Sequence, residues 1–125
     1  MSSEIVPFNI KLRKKSRLLQ LFYDGYSYEL SYEFLRVYSP SAEVRGHSPS
    51  QRTLQLNKVN VSINSVELVG TYAIRIVFDD GHDTGLYSWD YLKHLAECYD
   101  ELWREYLLAI REAGHSRENW LGDKT

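Results

Sequence analysis

Residues 79–89 form the segment that most limits how this chain can fold. Their sequence, DDGHDTGLYSW, predicts the end of a strand, a tight Asp-Gly turn, a short strand and the start of a helix. The preceding run 72–78 places large apolar side chains at every second position, which is typical of a strand. The Ser88 hydroxyl can accept a hydrogen bond from a backbone amide in the first turn of the helix. The segment therefore predicts a hairpin that leads directly into a helix.

The region after Ser88 predicts one long helix over residues 89–113. Apolar side chains recur there at helical spacing, while charged side chains occupy the other side. The apolar stripe comprises Leu92, Leu95, Ala96, Tyr99, Leu102, Trp103, Tyr106, Leu107 and Ile110. Gly114 follows as a residue that readily ends a helix in the left-handed conformation. A helix with one apolar face must pack that face against other elements.

The first half of the chain predicts further strands and a short helix. Alternating runs at 8–13, 18–23, 26–30 and 59–68 predict these strands. Asp24-Gly25 is a strong hairpin signal, and Ser31 can cap a helix over residues 32–37. The order of elements predicts an α+β fold: a mostly antiparallel sheet of short strands, with a short helix and a long C-terminal helix packed on it.

Length and composition limit the class of protein. The length of 125 residues predicts one domain over residues 7–114, with flexible ends at 1–6 and 115–125. The 15 basic and 17 acidic side chains nearly cancel, which argues against nucleic-acid binding. One cysteine, Cys98, excludes an internal disulfide and favours a reducing compartment. No apolar run reaches the roughly 20 residues needed to span a membrane. The sequence therefore predicts a cytoplasmic protein.

His82 is the first candidate for chemistry. It lies between Asp80 and Asp83 at a turn, where its imidazole can face outward and bind a metal or transfer a proton. Turn chemistry alone also explains a solvated Asp-Gly-His sequence. His47 is a second imidazole, in a long irregular loop over residues 38–57, and a solvated loop histidine is its alternative interpretation.

Two other features have a simple structural interpretation. A basic hairpin comprises Lys11, Arg13, Lys14, Lys15 and Arg17. These cations could contact phosphates, but lysine-rich hairpins also keep exposed sheet edges soluble. Cys98 lies at the flank of the apolar stripe without a partner evident in the sequence, which favours a structural thiol. The chain has no phosphate-binding glycine loop, nucleophile elbow or metalloprotease motif.

Several short segments carry a resemblance to a known family. These are Leu35-Arg36, Ser39-Pro40-Ser41-Ala42, Gly70-Thr71-Tyr72-Ala73 and the block 78–89. Through them the chain resembles the gamma-butyrobetaine hydroxylase-like N-terminal domain over nearly its whole length. In bacteria this domain often stands alone, as a family of unknown function. The resemblance therefore implies a bacterial domain, but membership of this family does not establish an activity.

The resemblance also implies a zinc site that has been lost. Typical members hold one zinc ion through three cysteines, spaced Cys-x-Cys-x-x-Cys after a Leu-Arg, and one histidine. The cysteine positions fall on Ser39, Ser41 and Val44, and the histidine falls on His82. A serine hydroxyl is a poor zinc ligand near neutral pH, and valine cannot ligate at all. We expect no bound zinc, and a loop held by hydrogen bonds that include Arg36 and by packing of Val44.

A non-catalytic role follows from the same resemblance. In the hydroxylases an oxygenase domain with iron and 2-oxoglutarate follows this domain, and the present sequence contains no counterpart, so we expect no enzyme activity. Related domains are fused to P-loop ATPases that resemble iron–sulfur cluster carriers, which implies an accessory role in cluster or metal handling. The leading hypothesis is a docking module for another protein, as a monomer or weak dimer. The predicted interaction surface comprises Arg36, Ser39, Ser41, His47, Asp80, His82 and Asp83.

Two alternative functions stay open at this point. A metal-responsive protein could bind iron(II) through His82 and His47 with Asp80 or Asp83, because two imidazoles and a carboxylate suit that ion. An enzyme acting on an unknown small molecule would instead need a deep pocket with perturbed titratable groups.

Overall fold

The structure is a computed structural model that describes residues 5–45 and 54–115. Most of the predicted flexible ends, at 1–4 and 116–125, and the loop segment 46–53 with His47 lie outside the described residues. Within the described part, the strands are β1 Asn9–Arg13, β2 Leu18–Tyr23, β3 Tyr26–Ser31, β4 Ile63–Val69, β5 Ala73–Phe78 and β6 Leu86–Ser88. The helices are α1 Tyr32–Val37, α2 Ala42–Arg45, α3 Trp89–Glu97 and α4 Tyr99–Glu112.

The strands form two antiparallel sheets of three strands each, in the orders β1-β2-β3 and β4-β5-β6. In the first sheet, Tyr23 pairs with Tyr26 across the Asp24-Gly25 turn, where Gly25 has a φ of 84°. The predicted α+β class with short antiparallel strands is confirmed. No helix among residues 5–45 and 54–115 combines the length and apolarity that a membrane span requires.

One hydrophobic core joins both sheets to α1 and α3. Its largest fully buried side chains are Tyr32, Tyr87, Phe34, Phe78, Leu19, Leu21, Leu30, Leu35, Ile63, Ile74, Ile76 and Leu92. The alternation predicted for β5 is present at Ile74, Ile76 and Phe78, which are all buried. Tyr72 was expected on the same face but is 58% exposed, because it lies in the turn before the strand begins.

Both predicted helix caps are present. The Ser31 hydroxyl accepts a hydrogen bond from the Phe34 amide at 3.0 Å, and the Ser88 hydroxyl accepts one from the Tyr91 amide at 3.1 Å. Each cap satisfies an amide that has no partner within the helix. Because Ser88 is also the last residue of β6, the cap fixes where the chain changes from sheet to helix.

The predicted single helix over 89–113 is wrong in one respect, because the helix is divided at Cys98. Cys98 has φ −106° and ψ 19°, although its amide still donates to the His94 carbonyl at 2.9 Å. Leu92 of α3 lies in the main core, and Tyr99 and Leu102 at the start of α4 pack against the same core, whereas Tyr106 and Ile110 farther along α4 join a second cluster. A continuous apolar stripe in the sequence does not distinguish these two clusters.

Lys93 joins α3 to the β2–β3 hairpin through aromatic rings. Its Nζ lies 4.7 Å from the centroid of the Tyr23 ring and 5.5 Å from that of the Tyr26 ring, and it donates a hydrogen bond to the Tyr26 hydroxyl at 3.1 Å. The Tyr23 and Tyr26 rings stack with centroids 5.3 Å apart. Burial, followed by the neighbouring Tyr26, raises the pKa of Tyr23 to about 12. The ammonium is therefore held against neutral rings, where cation–π attraction operates.

Replacing Lys93 with alanine is expected to lower the free energy of unfolding by about 1 kcal/mol, because the cation–π and hydrogen-bond contacts are lost. Lys93→Arg should recover part of this loss. Urea unfolding followed by tyrosine and tryptophan fluorescence measures both. The matched control is Lys15→Ala, which removes an exposed lysine at the β1–β2 turn. Equal losses for Lys93→Ala and Lys15→Ala would contradict the role of the rings.

Candidate functional site

The two segments that stood out in the sequence meet at a buried cluster, formed by Ser39, Ser41, Val44 and His82 and called here the serine–histidine joint. The Ser39 Oγ lies 2.8 Å from His82 Nε2, and the Ser41 Oγ lies 3.4 Å from the same nitrogen. The Ser41 amide also donates to the Ser39 Oγ at 3.3 Å. The exposed fractions are 0% for Ser39, 5% for Ser41, 1% for Val44 and 7% for His82. The joint thus connects α1 and α2 to the β5–β6 turn.

His82 faces inward, which corrects the expectation that a turn histidine points to solvent. The turn is closed by hydrogen bonds from the Phe78 amide to the His82 carbonyl at 2.9 Å and from the Gly81 amide to the Phe78 carbonyl at 3.3 Å. The His82 amide donates to Asp80 Oδ1 at 3.2 Å, and Gly81 has a φ of 91°. Because glycine adopts this conformation without steric cost, the turn can direct the imidazole back toward Ser39.

Gly85 allows the two segments to approach each other. A Cβ atom at this position would overlap the Ser39 hydroxyl and would lie 3.2 Å from Pro40 Cδ. Gly85 is buried, so a larger side chain has no solvent to move into. The sequence pattern assigned Gly85 only to the short strand region, because nothing local indicates which residue faces it. The close packing in the joint therefore depends on a residue whose role the sequence did not reveal.

Arg36 and Asp80 form an ion pair beside the joint. The Arg36 Nε donates to Asp80 Oδ2 at 2.9 Å, and the Lys58 Nζ donates to the same oxygen at 3.0 Å. The Arg36 Nη1 also donates to Gln55 Oε1 at 3.0 Å, although only 7% of Arg36 is exposed. The sequence pointed to Arg36 and Asp80 as site residues. It did not point to Lys58 or Gln55, because both are distant in the sequence from the residues that they contact. Asp80 therefore ties the β5–β6 turn to α1 and to the segment before β4.

The contacts of Asp80 change its acidity. Partial burial alone would raise the pKa of the Asp80 carboxyl, but hydrogen bonds from Lys58, the His82 amide and Arg36 outweigh burial and hold that pKa below its usual range. Because the pKa of Asp80 is lower in the folded state than in the unfolded chain, its carboxylate stabilises the fold. This stabilisation is fully present at pH values above the pKa of an aspartate in the unfolded chain, which is about 3.9. This stabilisation is lost as the pH falls through the lower, folded-state pKa.

Asp80→Asn is therefore expected to make the free energy of unfolding depend less on pH in the acid range. The variant should be less stable than the natural protein at neutral pH, and the difference should shrink below about pH 4 as Asp80 becomes protonated. Urea unfolding across this range measures the effect. Asp100→Asn, which removes the same charge from an exposed position on α4, is the control. A stability difference that stays constant down to the lowest pH would rule out the Asp80 linkage.

The predicted interaction surface is mostly interior. Arg36, Ser39, Ser41 and His82 are buried, and His47 lies outside the described residues. The side chains of Asp80 and Asp83 keep 25% and 47% of their surface exposed. Asp83 Oδ2 lies 3.5 Å from Arg75 Nη1, a long and weak ion pair. A partner that approaches this region from solvent would meet the two aspartates rather than the joint.

The donor set of the joint does not fit zinc. Structural zinc requires four nitrogen or sulfur donors in a tetrahedron, whereas the joint supplies one imidazole, two hydroxyls and a valine side chain. Two ligands at zinc-bond distances in a tetrahedron would lie about 3.3 Å apart, but Ser39 and His82 are in direct contact at 2.8 Å. Among residues 5–45 and 54–115, no group of three or more His, Cys, Asp or Glu side chains could hold a metal ion. The iron(II) alternative requires His47, whose position the structure does not describe.

Cys98 has a neighbour that the sequence reasoning overlooked. Its Sγ lies 3.7 Å from Nδ1 of His94, four residues earlier at the end of α3. The helical spacing of i and i+4 could have revealed this pair. The thiol is partly exposed at the α3–α4 junction, far along the chain from the serine–histidine joint. It does not contribute to the candidate site.

Relatives of known structure share this architecture. The family model "Gamma-butyrobetaine hydroxylase-like, N-terminal" matches residues 10–93. Two solution NMR structures are 48% and 47% identical to this chain, with TM-scores of 0.80 and 0.76; each match covers 96% of this chain, and 96% and 92% of the respective relatives. A crystal structure of a protein of unknown function from Acidithiobacillus ferrooxidans is 33% identical, with a TM-score of 0.63, and covers 75% of this chain and 96% of its own.

No curated protein matches the chain. The family model nevertheless spans more than half of the residues, and the matched region includes both segments of the serine–histidine joint. The NMR relatives extend the likeness to nearly the full length. The chain therefore belongs to the gamma-butyrobetaine hydroxylase-like N-terminal domain family.

Proposed function

We propose that this domain is a small non-catalytic module that docks onto another protein, and that its former metal site serves as a structural joint. The observation that carries the proposal is the burial of Ser39 and His82, which are 0% and 7% exposed. A hydroxyl next to an imidazole is also found in nucleophilic enzymes, but there the nucleophile must reach a substrate. A pair enclosed in the core can hold two segments together but cannot meet a substrate.

The position of the joint in the fold allows it to hold a protein-binding surface in one fixed shape. The joint and the Arg36–Asp80 ion pair fix α1, the β5–β6 turn and the segment before β4 relative to one another. A surface that is rigid before binding loses less conformational entropy on binding. We also propose an accessory role in iron–sulfur or other metal handling. Only the family resemblance supports this role, and a shared fold does not by itself establish a function.

Affinity capture from the native cell with the full chain tests the docking function. We expect one protein to be enriched and, once purified, to bind the full chain saturably in isothermal titration calorimetry. Gly85→Ala is the test variant: the substitution disturbs the joint, and the variant should therefore bind this partner more weakly. Turnover of a small molecule by the purified chain, with no saturable protein partner, would overturn the proposal.

A further inference from the structure

A cleft lies beside the second half of β1 and the turn that follows it. It has a volume of about 510 Å³ and is lined by Lys11, Leu12, Arg13, Lys14, Lys15 and Ser16. We call it the β1 cleft. All of these residues except Leu12 are exposed, so solvent reaches the cleft. Its lining combines one edge of a strand with four cationic side chains.

The backbone of β1 has an edge that pairs with no other strand in the described part of the chain. There β1 pairs only with β2, on one side. The Ile10 amide donates to Oδ1 of the neighbouring Asn9 at 2.9 Å, in an exposed position, and not to a strand. In an antiparallel sheet, the backbone groups of every second residue of an end strand point away from its neighbour. The Leu12 amide, two residues farther on, therefore also points away from β2.

The cations of the β1 cleft have no acidic partner among residues 5–45 and 54–115. The Arg13 Nε donates to Gln20 Oε1 at 2.6 Å, and the Lys11 Nζ lies 5.7 Å from the centroid of the Phe22 ring. Both contacts are with neutral groups, so they position the side chains without neutralising their charge. The cleft therefore attracts carboxylates.

The two faces of β1 differ in chemistry. Lys11 and Arg13 are exposed on one face, whereas Ile10 and Leu12 on the other face are partly buried and pack against the main core. A strand that adds to the β1 edge would extend both faces, because side chains alternate between the faces of a sheet. A complementary strand therefore carries acidic side chains at every second position and apolar side chains between them.

A hydrogen bond holds the β1–β2 turn against the second sheet. The Lys14 Nζ donates to the carbonyl of Ile63, the first residue of β4, at 2.5 Å. The segment before β4 is tied to Asp80 by Lys58. The β1 edge is therefore connected to the region of the serine–histidine joint. An edge that is fixed before binding loses less conformational entropy when a strand is added.

The charge of the β1 edge disfavours a second copy of this chain as its occupant. Pairing of two β1 edges would bring Lys11 and Arg13 of both copies together, and like charges on neighbouring strands are destabilising. Lysine on an end strand prevents self-association in this way, but it does not exclude an acidic strand. Nucleic acid fits less well, because the lining has no aromatic ring on which a base could stack and the whole chain has a net charge of −2.

We propose that the β1 edge binds an extended segment of the partner protein as an added strand, in which aspartate or glutamate alternates with apolar side chains. This proposal rests on the docking function proposed above and specifies the chemistry of the partner. Backbone hydrogen bonds along the edge supply affinity. Lys11 and Arg13 select an acidic strand over a basic or an uncharged one.

Three synthetic peptides test the specificity of the full chain. The probe has about eight residues, in which glutamate alternates with valine. One counterpart carries lysine in place of every glutamate, and the other keeps all side chains but is methylated on every backbone nitrogen. We expect the probe to bind at least about tenfold more tightly than either counterpart at low ionic strength. Equal binding of the methylated peptide would show charge attraction without strand addition and would overturn the inference.

Hydrogen exchange followed by NMR locates the added strand. The Leu12 amide should exchange more slowly when the probe is bound, because it gains a backbone acceptor. The Lys11 amide, which the alternation directs toward β2, should change little. Protection of Leu12 in the natural protein without peptide, lost on dilution, would identify a second copy as the occupant and overturn the inference. Tighter binding of a single-stranded oligonucleotide than of the probe would identify nucleic acid and would also overturn it.

Two charge reversals test whether binding occurs at the cleft. Lys11→Glu should weaken binding of the probe by roughly tenfold at low salt. Arg111→Glu makes the same change of charge at an exposed position on α4 and should leave the affinity unchanged. Circular dichroism checks that both variants are folded. Equal losses of affinity would show that the probe responds to net charge and not to the cleft, and would overturn the inference.

The captured partner separates this inference from the docking function itself. A double variant, Lys11→Glu with Arg13→Glu, should lose the partner that the natural chain captures, and the probe should compete with that partner for the natural chain. If the double variant retains the partner, or if the probe does not compete, the inference fails although the docking function stands. If the natural chain captures no partner, the docking function fails, and the inference that rests on it fails as well.

Discussion

Replacing Ser39, Ser41 and Val44 together with cysteine is expected to create a tight zinc site. The two serine oxygens already lie within 3.4 Å of His82 Nε2, so the replacing thiolates would surround the same imidazole. Val44 is buried at the position where the family resemblance places the third cysteine. Zinc also binds thiolate and imidazole donors far more strongly than hydroxyl groups. The triple variant would therefore regain a complete donor set.

The expected effect is large. Structural zinc sites in peptides have apparent binding free energies of about 10–16 kcal/mol at neutral pH. With free zinc a thousandfold above the dissociation constant, the stabilisation would be about 4 kcal/mol. Elemental analysis of protein purified without a histidine tag should find one zinc per triple-variant chain and none in the natural protein. Thermal unfolding with zinc and with a chelator measures the stabilisation.

Adding His82→Ala to the triple variant provides the control. This change removes the fourth donor and should lower zinc affinity while leaving the three cysteines in place. One equivalent of tightly held zinc in the natural protein would contradict the proposal that its joint is metal-free. Failure of the triple variant to bind zinc would show that the joint no longer has the geometry of the family site.

Gly85→Ala is expected to destabilise the protein by about 2 kcal/mol, because the added methyl group overlaps Ser39 Oγ and presses on Pro40. A glycine-to-alanine change restricts the unfolded chain, which alone would stabilise by about 0.4–1 kcal/mol. The overlap outweighs this gain because Ser39 is fully buried and held by His82. Gly81→Ala is the comparison: apart from its chain neighbours, no atom of the described residues lies within 4 Å of the position of the added Cβ, so only the strain of the positive φ remains. Urea unfolding measures both variants.

A double-mutant cycle identifies the overlap as the cause. Ser39→Ala removes the hydroxyl that Gly85→Ala would displace, so the glycine substitution should cost less in that background than in the natural protein. The Ser39→Ala change has its own cost from the lost contact with His82. Strictly additive effects of the two substitutions would show that the added methyl group does not act through Ser39.

Local signals predicted the parts of the fold that depend on neighbouring residues. The Asp24-Gly25 turn and the Ser31 and Ser88 caps depend on chemistry within four residues, and each is present. The division of the helix at Cys98 was not predicted, because the helical spacing of apolar residues continues through Cys98 from α3 into α4. That Tyr106 and Ile110 join a second cluster with Val37 was missed as well, since local spacing carries no information about partners from distant parts of the chain.

The candidate site shows the same limit. The family resemblance predicted that Ser39 and His82 are neighbours, and they are in contact although 43 positions separate them in the sequence. The direction of the His82 side chain was missed, since a turn sequence alone favours an outward polar residue. A groove lined by Val37 and Tyr106 was missed as well, because Tyr106 lies on a helical stripe that the spacing assigned to the core.

The direct contact between Ser39 and His82 has a consequence for the conditions under which the fold survives. Peroxide attacks thiolates, and chelators extract ions held by them. A joint made from hydroxyl groups and an imidazole offers neither target. During oxidative stress or metal starvation, we therefore expect this protein to stay folded at a point where cysteine-bearing relatives would open.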